Sequence, residues 1–177
     1  SLQLNPGKCC FMRIGPLFDK PCARLLSIDN TEISTVSELR YLGVFFLAAR
    51  TFRISLDKTK RAFNRATNSI LSRLQGTATE DVLFHMIRSK SLPILLFALE
   101  AINLPLSAIR SLDFCVIRFA MKVLRSSNRD MVMSCLEYFD FKLPSALIPI
   151  RKDKFDKVFP NIDNLLCTLC AKSQRQV

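Results

Sequence analysis

The chain has 177 residues, and 26 Lys and Arg against 15 Asp and Glu give it a formal net charge of +11. This length suffices for one domain with a hydrophobic core or for two small packed units. The hydrophobic fraction of 49% excludes a disordered basic tail. The positive charge favours a polyanionic partner, either nucleic acid or an anionic membrane surface, although a merely basic protein fits it equally well.

Neither a signal peptide nor a membrane span is expected. The N-terminus has no basic start followed by an apolar run, and Pro93, Glu100 and Pro105 interrupt the most apolar stretch, residues 92–106. That stretch is also shorter than the roughly 20 apolar residues of a spanning helix. Seven scattered Cys residues favour a reducing intracellular compartment, nucleus or cytoplasm. The missing initiator Met indicates a chain that starts within a longer protein, unless processing removed the residue.

The N-terminal residues, up to about Phe52, are predicted to form short strands and turns. Asn5-Pro6-Gly7 has turn chemistry, and residues 9–14 are an apolar run of strand length. Two short apolar runs flank Asp29-Asn30, which predicts a hairpin with a two-residue turn. Residues 40–47 are interpreted as one further strand. Together these segments predict a small antiparallel sheet.

Beyond Phe52 the hydrophobic residues recur at helical spacing. A first helix is predicted over residues 56–74, with Gly76 as its stop. Thr79 is the expected cap of a second helix, which Pro93 would end or kink. The further predicted segments are a possible helix over residues 94–102, a helix from Ser107, a helix capped by Asn128, a loop at Pro144 and Pro149, a charged helical stretch at 151–158 and a last short helix at 162–170.

The predicted fold class is therefore α+β and predominantly α. Residues 1–52 form a β-hairpin region, residues 53–140 a helical bundle, and residues 141–177 a helical C-terminal extension that could be truncated. The boundary near residue 52 is a change of structure type, since no glycine-rich linker or internal repeat occurs in the sequence.

Several ordered motifs resemble one family of polymerases. Leu4, Asn5 and Lys8 precede the apolar pair Phe11-Met12, and the tripeptide Tyr41-Leu42-Gly43 follows. A basic helix comes next, and then three stretches with the family's pattern: Leu92-Pro93-Ile94-Leu95-Leu96-Phe97-Ala98-Leu99-Glu100, Ser111-Leu112-Asp113-Phe114 and Arg125-Ser126-Ser127-Asn128. Over about residues 1–140 the chain resembles the end of the palm and the thumb of a non-LTR (LINE-type) retrotransposon reverse transcriptase, an RNA-directed DNA polymerase.

The resemblance implies roles for two of these motifs. The Tyr41-Leu42-Gly43 hairpin looks like the primer grip, which holds the 3′ end of the growing strand. A tight turn with a glycine lets backbone approach a sugar-phosphate closely, and an aromatic ring beside it can pack on a sugar or base. Lys8 matches a palm lysine that lies near the incoming nucleotide, where a cation could stabilise the departing pyrophosphate. Plain sheet packing and a solvated turn lysine are the structural alternatives.

The predicted helix over residues 56–74 is strongly basic. Lys58, Arg61 and Arg65 are spaced i, i+3 and i+7 and therefore share one face, and Lys60 and Arg73 add further charge. Phosphate contact needs charge and reach but no base-specific geometry, so this face could follow the backbone of a template–primer duplex. Arg50 and Arg53 would extend the same patch. An ordinary solvated helix face is the structural alternative.

Polymerase chemistry requires carboxylates that hold two divalent ions, and no adjacent Asp pair occurs in this sequence. The resemblance places that pair, and hence the Mg²⁺ of the full-length enzyme, in a missing N-terminal finger and palm region. Lys8 is the single candidate for a catalytic residue, no cofactor is expected in this chain, and the chain alone is predicted not to extend a primer.

Cys167 and Cys170 have metal-ligand spacing, but a structural zinc requires four ligands. The only histidine, His85, lies far away in the sequence within a helical pattern, so no metal site is assigned. Cys167 and Cys170 could open a zinc knuckle only in a longer chain.

The leading hypothesis is a reverse transcriptase fragment that contributes primer grip and duplex binding. The expected partners are an RNA template and a DNA primer, with no membrane. The alternative is a non-catalytic basic helical RNA/DNA-binding module derived from such an element. A third class, an interaction or membrane-surface protein, would use the apolar surface together with the positive charge.

Overall fold

The computed structural model describes residues 5–74, 76–162 and 164. Leu4, Cys167, Cys170 and the predicted last helix lie outside the described residues, apart from Ile162 and Asn164 of that helix. The chain divides into two compact units, residues 1–57 and 58–177. The described part is a mixed α/β fold in which helices predominate, in agreement with the coarse α+β prediction.

Within its described residues, the first unit contains two three-stranded sheets. Its strands are β1 (Cys10–Phe11), β2 (Leu25–Leu26), β3 (Glu32–Thr35), β4 (Glu38–Tyr41), β5 (Val44–Leu47) and β6 (Arg53–Ile54). One sheet has the order β1-β3-β2 and the other β4-β5-β6. Each of these strands has either two or four residues. They are short because turn residues recur at short intervals along the described part of this unit.

The expected purely antiparallel arrangement is wrong at one strand pair. β1 pairs with β3 in parallel, with Cys10 opposite Ser34, while the remaining pairs are antiparallel. A parallel neighbour requires a crossover connection rather than a hairpin. The chain between β1 and β3 provides that crossover and contributes β2 to the other side of β3.

The predicted hairpin around Asp29-Asn30 exists, but its loop is longer than two residues. The Asn30 N–H donates to the Ser27 carbonyl at 2.9 Å, and the Ser27 N–H donates to the Thr31 carbonyl at 2.9 Å. Asn30 has a φ of 57°. A β-turn followed by one left-handed residue is a common three-residue hairpin loop, and Asn tolerates that conformation well.

The interpretation of residues 40–47 as one strand is wrong. β4 ends at Tyr41, and β5 begins at Val44 and returns beside it, so that Tyr41 pairs with Val44 and Glu38 with Leu47. The apolar run continues through the turn because Leu42 occupies a position where turns usually carry a polar residue. The tripeptide Tyr41-Leu42-Gly43 therefore consists of the last residue of β4 and the two residues of the hairpin turn.

The second unit is helical. Its helices are α1 (Asp57–Leu74, whose first residue closes the first unit), α2 (Glu80–Met86), α3 (Leu92–Leu95), α4 (Leu106–Val123), α5 (Arg129–Tyr138) and α6 (Pro144–Val158). The predictions of α1, α4 and α5 agree with these bounds, whereas α2 begins after Thr79 as predicted but ends at Met86, well before Pro93. Gly76, at the predicted stop of α1, has a φ of 98°, a conformation that favours glycine at helix C-termini.

Pro93 neither ends nor simply kinks its helix. A π-helical turn, Ile87–Ser91, joins α2 to α3, and Pro93 is the second residue of α3. Proline cannot donate to the carbonyl four residues before it and its ring collides with that carbonyl in a regular α-helix. A wider π turn at this point accommodates both effects.

The helix considered for residues 94–102 is interrupted. α3 ends at Leu95, Ala98 adopts a left-handed φ of 59°, and a short 3-10 turn occupies Leu99–Ala101. Glu100 in this turn pairs with Arg151 of α6, with two nitrogen–oxygen distances of 3.2 and 3.3 Å. This pair joins the turn to the C-terminal helix.

Pro144 and Pro149 do not mark a loop. Pro144 begins α6, where its missing N–H has no intrahelical partner to lose. Pro149 lies inside the helix. Pro149 and Ser145 are both exposed, so water can bond the Ser145 carbonyl that loses its backbone donor. The charged stretch 151–158 is therefore the second half of one 15-residue helix.

The buried core lies in the helical unit. Phe63 of α1, Leu95 of α3 and Val116 of α4 are 0% exposed. Phe84 of α2 is at the centre of an aromatic cluster, with ring-centroid distances of 6.1, 4.9 and 5.5 Å to three further phenylalanines, Phe119, Phe139 and Phe141. Such rings bury large apolar areas and prefer the tilted and edge-on arrangements seen in this cluster.

Candidate nucleic-acid interface

The turn between β4 and β5 is a two-residue hairpin loop, Leu42-Gly43. Leu42 has a φ of 48° and Gly43 a φ of 85°. Positive φ at both positions defines the type I′ turn, whose twist matches that of a hairpin. Glycine adopts this conformation without strain, whereas a left-handed residue with a side chain costs about 1–2 kcal/mol.

This hairpin presents apolar side chains to solvent. Tyr41 is 62% exposed and Leu42 is 76% exposed. Behind them, the Arg40 guanidinium lies 5.5 Å from the ring centroid of its cross-strand partner Phe45, a favourable cation–π distance. The tip can therefore pack an aromatic and an aliphatic surface against a flat, partly apolar ligand.

The other predicted site residues of the first unit are also exposed. Lys8 ends a 3-10 turn, Pro6–Lys8, in which the Asn5 side chain accepts a hydrogen bond from the Gly7 N–H at 3.0 Å. Arg50 lies in the bend after β5, and Arg53 lies in β6 opposite Leu47. Each presents a cation to solvent within the first unit.

The helix α1 is amphipathic. Phe63, Thr67 and Leu71, spaced four residues apart, are its buried residues. The Thr67 hydroxyl lies 2.9 Å from the Phe63 carbonyl oxygen and 3.0 Å from that of Asn64, so this buried polar group is satisfied within the helix. The apolar stripe fixes which face of α1 meets solvent.

Three of the predicted nucleic-acid-binding residues lie on that solvent face. Lys58, Arg61 and Arg65 are all exposed, and at 100° per residue they lie opposite Phe63. They span about 10 Å along the helix axis at 1.5 Å per residue. We refer to Lys58, Arg61 and Arg65 as the basic face of α1. Lys60, by contrast, is half-buried.

A polar groove between α1 and α4 adds site residues that were not predicted from the sequence. Its lining includes Asn64 and Asn68 of α1 and Arg118 and Lys122 of α4, and its volume is about 220 Å³. The Lys122 ammonium donates to the Asn68 side-chain oxygen at 3.0 Å. The i, i+4 spacing of Arg118 and Lys122 on a predicted helix is the sequence signal that indicates such a basic stripe.

The pKa of the Cys115 thiol is affected both by burial and by the cations near it. Burial raises the pKa of Cys115 above the ordinary value of a cysteine thiol, while the nearby cations Lys60 and Arg118 act to lower it. Burial disfavours a thiolate, and two cations stabilise one. The net upward shift means that burial outweighs the cations, so Cys115 is a protonated thiol at neutral pH.

The remaining candidate groups do not come together. No group of three or more His, Cys, Asp or Glu that could hold a metal ion occurs among the described residues. His85 lies exposed in the last turn of α2, and Cys167 and Cys170 lie outside the described residues. Within the described part of the chain, no helix has both the length and the apolar character needed to cross a membrane.

The basic face of α1 and the exposed hairpin tip thus define a candidate interface in each unit. Comparisons with protein-family models, with curated proteins and with solved structures find no match for this chain. The geometry and charge of these two surfaces are what mark them as a candidate interface.

Proposed function

We propose that this chain is a primer-grip and thumb portion of a LINE-type reverse transcriptase, and that it binds an RNA–DNA template–primer duplex. The observation that carries the proposal is the basic face of α1, where Lys58, Arg61 and Arg65 are exposed opposite a buried apolar stripe. The proposal assigns this face to the phosphate backbone and the β4–β5 hairpin to the primer strand. The catalytic aspartates and their Mg²⁺ ions belong, in this proposal, to another part of the full enzyme.

The chemistry of the basic face suits a polyanion. Long Lys and Arg side chains on one helix face can reach successive phosphates without reading base sequence. Two of the three are arginines, whose planar guanidinium groups bind phosphate oxygens in a bidentate manner. The net charge of +11 adds long-range attraction for nucleic acid.

The side chains at the hairpin tip are of the kind that can contact the end of a nucleic-acid strand. Tyr41 and Leu42 offer exposed apolar surface at the tip, and stacking of a base on an aromatic ring contributes about 1–3 kcal/mol without sequence preference. Gly43 has no side chain, so a sugar-phosphate can approach the backbone of the turn. In this proposal the hairpin contacts a primer terminus, and the basic face of α1 contacts the phosphate backbone of the duplex.

Fluorescence anisotropy of a labelled RNA–DNA hybrid, measured across a salt series, tests the proposal. The logarithm of the affinity for a polyanion falls linearly with the logarithm of salt concentration, and each phosphate that the protein neutralises adds roughly 0.9 to the steepness of that line. The triple variant Lys58→Glu/Arg61→Glu/Arg65→Glu should therefore bind more weakly and show a slope that is smaller by roughly three.

The matched control changes the same net charge on other elements. Lys90, Lys142 and Lys154 are exposed, and Lys90→Glu/Lys142→Glu/Lys154→Glu should leave the slope nearly unchanged. Equal reductions of affinity in both triple variants would mean that only net charge matters. An unchanged affinity in the α1 variant, or no binding of the hybrid by the unaltered chain, would overturn the proposal.

A further inference from the structure

A second surface of the helical unit is a cleft formed by α4, α5 and the start of α6. Its volume is about 300 Å³. Ile117 of α4 is 4% exposed at its base, and Phe114 and Met133 are 55% and 37% exposed on its walls. Leu143, which precedes α6, completes the apolar lining. We call this surface the α4–α5 cleft.

Two arginines give the α4–α5 cleft a positive border. Arg110 and Arg129 line it, and both are exposed. Arg118 adds a third cation, since its guanidinium lies 5.7 Å from the ring centroid of Phe114. The acidic lining residue, Asp113, already accepts a hydrogen bond from the Ser145 N–H at the start of α6, at 2.9 Å. The cleft therefore combines an apolar interior with a cationic border.

We propose that the α4–α5 cleft binds an acidic peptide segment of a partner protein. The segment inserts one large apolar side chain onto Ile117 and places carboxylates against Arg110 and Arg129. This inference goes beyond nucleic-acid binding and does not depend on it, because Arg110, Arg129 and Ile117 belong neither to the basic face of α1 nor to the β4–β5 hairpin.

Three properties of the cleft support a protein partner. Phe, Met and Arg are enriched at protein–protein interfaces, and these residue types form most of the lining. Methionine is flexible and polarisable, so Met133 can adapt to the inserted side chain. The volume is at the lower end of the roughly 300–1,000 Å³ of ligand pockets, which suits an anchoring side chain rather than a whole helix.

The charge complementarity defines the chemistry of that partner. Carboxylates match the geometry of Arg110 and Arg129, since an arginine binds a carboxylate through two parallel hydrogen bonds. A nucleic-acid strand fits less well. Its phosphates would be repelled by the Asp113 carboxylate, and most of the lining residues offer no hydrogen-bond donor to a phosphate. Nucleic acid in the cleft is therefore the competing outcome.

Selection of a phage-displayed library of random 16-residue peptides against the intact chain tests the inference. The enriched peptides should be net acidic and should carry a Phe, Leu, Trp or Met between Asp or Glu residues. Synthetic copies should then bind in solution, and Glu→Gln copies and copies lacking the apolar anchor should each bind at least tenfold more weakly.

Variants of the chain locate the binding. Arg110→Gln/Arg129→Gln and Phe114→Ser should each weaken the selected peptides at least tenfold. Tyr138→Ser is the control, since it removes an aromatic ring that is 85% exposed on α5 outside the cleft lining, and it should change nothing. Circular dichroism melting of each variant checks the fold, and if Phe114→Ser melts early the arginine variant alone decides the question.

Two results would overturn the inference. One is a library that enriches no acidic, apolar-anchored peptide, or peptides whose affinity survives the arginine variant. The other is an RNA–DNA hybrid that binds the Arg110→Gln/Arg129→Gln variant more weakly than the unaltered chain and also displaces the peptides from the unaltered chain. That result would assign the cleft to nucleic acid. A chain that binds peptides in the cleft but not the hybrid would support this inference while contradicting the proposed function.

Discussion

Leu42 occupies the first position of the type I′ turn between β4 and β5 with a φ of 48°. Asn-Gly is the favoured sequence for this turn, because asparagine tolerates the left-handed conformation far better than leucine does. The other hairpin of the first unit follows that rule, with Asn30 at its left-handed position. Strained residues cluster at functional sites. Among the described exposed residues other than glycine with positive φ, which are Asn30, Leu42, Arg125 and Asp140, Leu42 alone is apolar. We therefore expect Leu42 to serve binding at the expense of stability.

Leu42→Asn should therefore separate stability from binding. The substitution relieves left-handed strain and should raise the free energy of unfolding by about 1 kcal/mol, measured by urea denaturation. It also removes a 76%-exposed apolar side chain from the hairpin tip, so affinity for an RNA–DNA hybrid should fall severalfold. Ile28→Ser, at a 98%-exposed position in the other hairpin, is the control and should leave hybrid affinity unchanged. A Leu42→Asn variant with lower stability, or with full affinity, would contradict this interpretation.

Ser91 is a buried polar residue whose hydroxyl group lowers the stability of the fold, because it is removed from water without a hydrogen-bond partner. Its side chain is 0% exposed in the π turn before α3, and its hydroxyl has no hydrogen-bond partner in the described structure. Burying an unpaired hydroxyl costs about 1–3 kcal/mol. Ser91→Ala should therefore be neutral or stabilising by up to about 1 kcal/mol in urea denaturation. Ser89→Ala, at an exposed position of the same turn, is the comparison, and destabilisation by Ser91→Ala alone would indicate that the hydroxyl is bonded in solution.

The N-termini of α2 and α5 differ in whether the side chain of the N-cap residue forms a hydrogen bond. The Asn128 side chain accepts hydrogen bonds from the Asp130 and Met131 N–H groups at 3.0 and 3.2 Å and so caps α5. Thr79 stands at the equivalent position of α2 but makes no side-chain cap bond. Both residue types are favoured N-caps, so the sequence alone predicts equal roles for them, whereas the geometry assigns the capping energy to Asn128.

Asn128→Ala should cost about 1 kcal/mol of the free energy of unfolding, because two backbone donors lose their acceptor. Thr79→Ala should cost only a few tenths of that, since its side chain makes no cap bond. Parallel urea denaturation of the two variants, with Asn128→Asp as a variant that keeps the acceptor, measures the difference. Equal costs for the two alanine variants would mean that Thr79 forms its cap in solution.

Prediction from the sequence succeeded for elements in which periodicity and capping agree. The helix α4 has apolar residues at helical spacing, and α5 has a strong cap at Asn128, so the start of each helix is predicted to within one residue. α6 was divided because Pro144 and Pro149 indicate a loop by local chemistry, while the tertiary structure accommodates both prolines in one helix. The basic face of α1 was readable from spacing, whereas the α1–α4 groove and the α4–α5 cleft depend on packing between helices, which the spacing within one helix does not specify.

Burial is distributed very unevenly over the molecule as a whole. Of the described residues up to position 57, only Leu56 is buried, and the strand residues of both sheets are half-buried or exposed. All other buried apolar side chains among the described residues belong to the helical unit. Since hydrophobic burial is the main favourable term in folding, the helical unit should contain most of the stability of the chain.

Hydrogen exchange of the intact chain, followed by mass spectrometry, tests this distribution. Amides of a buried helix exchange only through global unfolding, whereas amides with few buried neighbours exchange through local opening at lower free energy. Peptides covering α4, where Val116 and Ala120 are 0% exposed, should be the slowest to exchange. Peptides covering β4 and β5 should exchange at least tenfold faster, corresponding to about 1.4 kcal/mol less protection.

The same hydrogen-exchange experiment, repeated with an RNA–DNA hybrid, measures which segments the ligand stabilises. A ligand that binds only the ordered state stabilises the segments it contacts, so the β4–β5 hairpin should gain more protection than the already stable α4. Equal protection of β4–β5 and α4 without ligand would show that the small sheets are as stable as the helical core. The low stability expected from their sparse burial would then be refuted.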